Sequence, residues 1–197
     1  MDTMLALGRE YRARHIDAPL RKLLDIGGAV VIEGPRACGK TMTGLHHAGS
    51  YALLDDQVNR DLSQVSPQVL LEGDSPRLLD EWQLAPQLWN LVRRKVDVSP
   101  HPGRFILTGS AVPADDDTRH SGAGRFLRLR QRTMTWQEKG HSTGNVKLGD
   151  LLAGSPLRAA ADTVDLHQVI AGILTPRLPG NDPAVPRAGA AAVGRLP

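Results

Sequence analysis

Hydrophobic and polar positions along this chain switch repeatedly between two rhythms. Tyr11, His15, Ile16, Leu20, Leu23 and Leu24 recur at spacings of three and four. That predicts a helix over 9–26, divided at Pro19 and ended by Gly27-Gly28. Ala29-Val30-Val31-Ile32-Glu33 is instead an unbroken, β-branched apolar run, the pattern of a strand buried on both faces. A glycine-rich segment follows at once, and Thr41 to Ala48 is predicted as the helix it opens. Tyr51 to Asp55 reads as a second strand ending in acid, and Val58 to Glu72 as a helical stretch interrupted near Pro67. Arg77-Leu78-Leu79-Asp80 is a short third strand. Pro86 to Val98 places Leu88, Leu91, Val92 and Val96 along one helical face. Arg104 to Thr108 is a fourth strand and Phe126 to Thr135 a fifth.

Strands that alternate with helices predict an α/β fold, a parallel sheet of about five strands flanked by crossover helices. All seven aromatic residues lie between Tyr11 and Trp136, so the expected core occupies 1–140. From Asp150 to Leu174 there is an amphipathic stretch without strong periodicity, and 141–175 is read as a partial helical extension. Residues 176–197 hold five Pro, three Gly and five Ala, too little apolar surface to offset ordering entropy, and are expected to be a disordered tail.

No apolar run approaches the roughly 20 residues that span a bilayer, and Met1 to Glu10 lacks the pattern of a secretory signal. The expectation is a cytoplasmic protein with no membrane partner. Cys38 is the one cysteine, which excludes an intramolecular disulfide framework and a multi-cysteine zinc site. A formal charge of +3 is too small to indicate nucleic acid. The basic groups Arg9/Arg12/Arg14, Arg93-Arg94-Lys95 and Arg125/Arg128/Arg130/Arg132 are read mainly as solvated faces. His46 and His47 are read as ordinary helix residues.

The chemistry begins at Gly34-Pro35-Arg36-Ala37-Cys38-Gly39-Lys40-Thr41, a GxxxxGK[ST] phosphate-binding loop. A glycine-rich turn lets consecutive backbone N–H groups face a phosphate chain, and the following helix adds its positive end. Its strand-loop-helix setting supports the motif. Lys40 would reach the β- and γ-phosphates of ATP, and the Thr41 hydroxyl would ligate Mg²⁺. Arg36 and Cys38 fill variable positions of the loop. Cys38 lies just ahead of the helix and two residues from Lys40, so its thiolate is expected to be favoured and its sulfur accessible to a small maleimide.

Leu78-Leu79-Asp80-Glu81 is the second piece. An aspartate at the end of a buried strand holds magnesium, and an adjacent glutamate can polarise the attacking water. Two adjacent acids favour hydrolysis over phosphoryl transfer to a small molecule. Ile106-Leu107-Thr108-Gly109-Ser110 is the third. Either Thr108 or Ser110 would sense the γ-phosphate or orient the water. Gly122-Ala123-Gly124-Arg125 is the fourth, where Arg125 would neutralise transition-state charge in cis or from a neighbouring subunit of a homo-oligomer.

In this order, EGPRACGKT after a strand, an LDD-ended second strand, LLDEWQLAP, RFILTGS and GRF…RLR…TWQE resemble a bacterial and archaeal AAA-type ATP-binding family. The resemblance covers about Arg9 to Glu138. It implies Lys40 and Thr41 on phosphate and metal, Asp80 on metal, Glu81 as catalytic base and Arg125 as a contact to phosphate. Gln83 falls where the family carries glutamine, with no chemical role legible in the sequence. Members usually continue for well over a hundred residues past this core, so this chain is expected to be a truncated form. The resulting expectation is a MgATP-binding ATPase that drives change in an unknown protein or nucleic-acid partner. The alternatives are a nucleotide-dependent binding module or remnant with negligible turnover and, less favoured, a P-loop small-molecule kinase.

Overall fold

The computed structural model describes residues 11–109, 123–156, 166–167 and 169–170. Five strands, β1 (Ala29–Glu33), β2 (Ser50–Leu53), β3 (Arg77–Asp80), β4 (Phe105–Gly109) and β5 (Phe126–Arg130), form one parallel sheet in the order β2-β3-β4-β1-β5. Helices α1 (Asp17–Leu24) and α2 (Lys40–His47) cover one face. Helix α4 (Gln87–Val98) and the 3₁₀ turn Pro67–Leu71 cover the other, with α3 (Gln57–Val65) beside them. A short α5 (Leu148–Leu152) leaves Leu148 and Leu152 exposed.

The burial of β1 and β4 explains the layers. All five residues of β4 and the first four of β1 are buried, and their side chains alternate between two cores. Val30, Ile32 and Ile106 meet Leu20, Leu24 and Leu45 on one face. Ala29, Val31, Phe105 and Leu107 meet Leu88, Trp89, Val92 and Phe126 on the other. Continuous apolar strands are what a sheet covered on both faces requires. Among the described residues the last buried hydrophobic is Met134.

Three elements differ from the sequence expectation. The first helix begins at Asp17, not at residue 9, and Pro19 sits in its first turn, where a missing N–H breaks no helical hydrogen bond. Tyr11 to Arg14 is irregular backbone. The second strand ends at Leu53, because Asp56 accepts the Val58 N–H at 3.0 Å and caps α3. The fifth ends at Arg130, after which Gln131 turns inward, its N–H still bonded to Glu33 O at 2.7 Å. The expected tail 176–197 lies outside the described residues. No helix among the described residues is long and apolar enough to cross a membrane.

Candidate functional site

Parallel register brings the C-terminal ends of β1, β4 and β3 to one level. Ile32 pairs with Thr108 and Thr108 with Asp80, so Thr108 stands between the loop strand and the acidic strand. The loop Gly34–Gly39 leaves β1 at this edge. Gly34 passes under the carbonyl of Gln131, and a Cβ there would lie 2.2 Å from that oxygen. Ala37 (φ 59°) and Gly39 (φ 97°) adopt left-handed conformations that fold the loop back onto α2. No side chain caps α2 and its first turn holds no acid, so its leading N–H groups are donors suited to an anion. The Lys40 side chain turns back over the loop, Nζ donating to Gly34 O at 3.0 Å and Pro35 O at 2.9 Å.

Asp80 is the hub of the site. It is buried at the end of β3 and accepts from Thr41 Oγ1 at 2.9 and 3.0 Å and from Thr108 Oγ1. Burial pushes its carboxyl up to about 6; the Thr108 and Thr41 hydroxyls oppose this, while Glu81 and Asp55 reinforce it. A desolvated carboxylate whose hydrogen-bond partners are neutral hydroxyls, with acidic neighbours, suits a small hard cation with oxygen ligands. The residues therefore fit magnesium, with Thr41 and Asp80 as the groups that would hold it.

Glu81 follows directly, in a left-handed conformation at φ 52°. The chain then closes a 3₁₀ turn over Trp82–Leu84, and Gln83 Nε2 donates to Glu81 Oε2. Thr108 thus joins Asp80, whereas Ser110 lies outside the described residues. Arg125 is placed elsewhere. It precedes Phe126, which pairs with Ala29 at the opposite end of β1, so about 16 Å of strand separates it from the loop of its own chain. There it pairs with Asp97 at 2.7 Å. The arrangement removes a contact in cis. Arg128 pairs with Glu33 and lies over the Trp89 ring.

Two readings of the basic and sulfur groups are corrected. Arg14 is not on a solvated face: it is buried, donating to Cys38 O at 2.9 Å, Arg132 O at 2.9 Å and Glu138 Oε1 at 3.0 Å. Glu138 also accepts from the His15 and Thr135 N–H groups. Gln131 Nε2 donates to Cys38 O and Thr43 Oγ1, both at 3.1 Å. The irregular segment before α1 and the chain after β5 together fasten the loop from behind. A basic residue three positions before an aspartate is a poor sequence signal for this, because two of its partners, Arg132 and Glu138, lie over a hundred residues away. Cys38 is likewise not accessible: it is 0% exposed, and burial pushes its thiol up despite Lys40 and Arg14 nearby. Its sulfur faces Gln131 O, on the side of the loop held by the chain after β5. The His residues belong to the same fastening. His46 stacks on Tyr11, and His47 and Tyr11 both bond Asp17.

Residues 27–139 match the AAA domain family. Uncharacterised proteins of Mycobacterium bovis and Mycobacterium tuberculosis are each 32% identical over 104 residues. That match covers 51% of this chain and 24% of each relative, so the chain spans about a quarter of the length of the curated relatives it matches. Among solved structures, the FIGL-1 AAA domain in complex with ADP is similar at 16% identity and a TM-score of 0.37, covering 73% of this chain and 60% of that one. PCH-2 of C. elegans is similar at 14% identity and a TM-score of 0.36, covering 61% and 41%.

Two outcomes follow from the buried groups. An unfolded aspartate loses its proton near pH ~3.9 and folded Asp80 near 6, so the folded state binds the extra proton between them. Stability is then lost as pH rises through that window and is level above it, by about 3 kcal/mol in all. Melting curves from about pH 4 to 7 should show the advantage of Asp80→Asn over wild type growing until about pH 6; a constant difference would contradict the burial assigned to Asp80. Arg14→Ala leaves buried Glu138 without its counter-charge and removes the donor to Arg132 O, and should lower the unfolding free energy by about 3–5 kcal/mol. Denaturant unfolding within about 0.5 kcal/mol of wild type would show that Arg14 fastens nothing.

Proposed function

The chain belongs to the AAA domain family, a nucleotide-binding P-loop fold, and from that premise we propose that it binds ATP with magnesium and hydrolyses it to drive change in a partner. The observation that carries this reading is the convergence of Lys40, Thr41, Asp80, Thr108 and Glu81 at one edge of the sheet. Lys40 exchanges two neutral carbonyls of the loop for phosphate oxygens, and the first-turn N–H groups of α2 take the β-phosphate side. Magnesium, when bound, would supply charge neutralisation to the phosphate chain. Asp80 and Thr41 hold the position for it, and Thr108 keeps Asp80 oriented. Glu81 accepts a proton from the attacking water. The water oxygen bonds to the γ-phosphorus, the bond to the β-bridging oxygen breaks, and ADP leaves with that electron pair.

The acidic pair Asp80-Glu81 at the loop's side favours water over a small-molecule acceptor. The partner, a protein or a nucleic acid, would be engaged by parts of the molecule beyond this core or by assembly of several copies. In that assembly Arg125, remote from its own loop, is suited to the nucleotide of a neighbouring subunit.

Lys40→Ala should weaken MgATP binding by at least about tenfold, measured by calorimetry or a fluorescent analogue, since it removes a charge-assisted contact. Unchanged affinity would overturn the site. Glu81→Gln should bind MgATP as wild type does but lose phosphate release by about a hundredfold or more; retention of the wild-type rate would remove Glu81 as the base. If Arg125 acts across subunits, specific activity should rise with protein concentration in the wild type and stay flat in Arg125→Ala. A wild-type activity independent of concentration across the assembly range would discard that role.

A further inference from the structure

Gln83 has no place in the chemistry above, yet its amide is held between two parts of the site. Its Nε2 donates to the Glu81 carboxylate, while Oε1 is buried and has no hydrogen-bond partner. The other side of this amide is the end of β4, where a Cβ added to Gly109 would lie 2.5 Å from Gln83 Oε1 and 3.1 Å from Trp82 Nε1. The turn that carries Gln83 is fixed at both ends. Leu84 and Ala85 N–H groups bond Glu81 and Trp82 carbonyls at 2.9 and 3.0 Å, and Trp82 is buried against Trp89. Glu81 itself enters the turn in a left-handed conformation that a side chain adopts only when its surroundings hold it there. A lone acceptor in such a place has a cost of its own, and a hydrocarbon side chain would have avoided it.

We propose that Gln83 is a positioning residue for the reaction. It clamps one oxygen of the Glu81 carboxylate and so fixes the plane in which the carboxylate meets the attacking water, and glycine at 109 leaves the space its amide requires. The proposal rests on the reading that Glu81 takes the proton from water. A glutamate has three rotatable side-chain bonds, and its terminal torsion is broad. One donor on one oxygen narrows that torsion, and a misplacement of about 1 Å at a reacting group costs on the order of a hundredfold in rate. The amide also packs beside the end of β4, the strand that carries Thr108.

The test has two arms, both on the full chain. In the first, Gln83→Ala and Gly109→Ala should each lower kcat by about ten- to a hundredfold, with KM and MgATP affinity within about twofold of wild type. The double variant should be slower than Gln83→Ala alone by far less than the Gly109→Ala loss, because the Gln83 amide is the group the added methyl meets most closely. Additive losses, wild-type kcat in Gln83→Ala, or a loss carried by KM would overturn the proposal. The second arm needs no turnover. In a ¹⁵N–¹H spectrum of Gln83, assigned by its disappearance in Gln83→Ala, the side-chain amide protons should be displaced from the free-amide position. They should return there in Glu81→Leu. An amide indifferent to Glu81→Leu overturns the clamp whether or not the protein hydrolyses ATP. A clamp that is present in a wild type with no ATP turnover overturns the role of Gln83 in hydrolysis together with that reading, and separates the two failures.

Discussion

A carboxylate buried at the end of a parallel strand must find donors, and Asp80 finds them in two threonine hydroxyls from different elements. Thr41 reaches it from the first turn of α2 and Thr108 from the end of β4. Because β4 lies between β1 and β3, this one residue ties the phosphate loop, the middle strand and the acidic strand at a single level. The carboxyl still sits well above its ordinary range, so the hydroxyls offset the burial only in part. The site thus retains an electrostatic demand that a cation can meet, which is how a stability cost in the fold becomes an affinity for a ligand.

The loop is held from the other side by neutral carbonyls meeting a buried guanidinium. Arg14 and Gln131 both donate to Cys38 O, and Gly34 fits beneath the Gln131 carbonyl with no room for a side chain. Charge enters this support in the Arg14–Glu138 pair, which closes the N-terminal segment against the chain after β5. The face of the loop that would meet phosphate is left to backbone donors and Lys40. Support and binding therefore use opposite sides of the same eight residues, and the lone thiol falls on the support side.

Much of the fold was legible in the sequence, for a physical reason. Strands buried on both faces read as continuous apolar runs, and Ala29–Ile32, Leu78–Leu79 and Phe105–Leu107 are such runs. The Gly34–Thr41 loop and the Asp80-Glu81 pair could be singled out in the sequence because the chemistry proposed for them needs fixed residue types at fixed spacing. What was not legible depends on contacts distant in sequence. Arg14 resembled a surface arginine until Glu138 and Cys38 O were placed beside it. Gln83 was visible as part of a motif, but its role requires the end of β4, some 26 residues on, to be seen against its amide. The reach of Arg125 could be judged only once the register set it at the far end of β5. Pro19 misled in the opposite way, since a proline divides a helix only when it is not in the first turn.

On the function proposed, this edge of the sheet directs water at the γ-phosphate of ATP. The most direct measurement is incubation of the protein with magnesium and ATP in ¹⁸O-labelled water, with mass spectrometry of the phosphate formed. Inorganic phosphate carrying one solvent oxygen is the expected product, formed only when magnesium is present. Saturation with ATP without release of labelled phosphate, or recovery of the phosphoryl group on an acceptor without solvent oxygen, would contradict it.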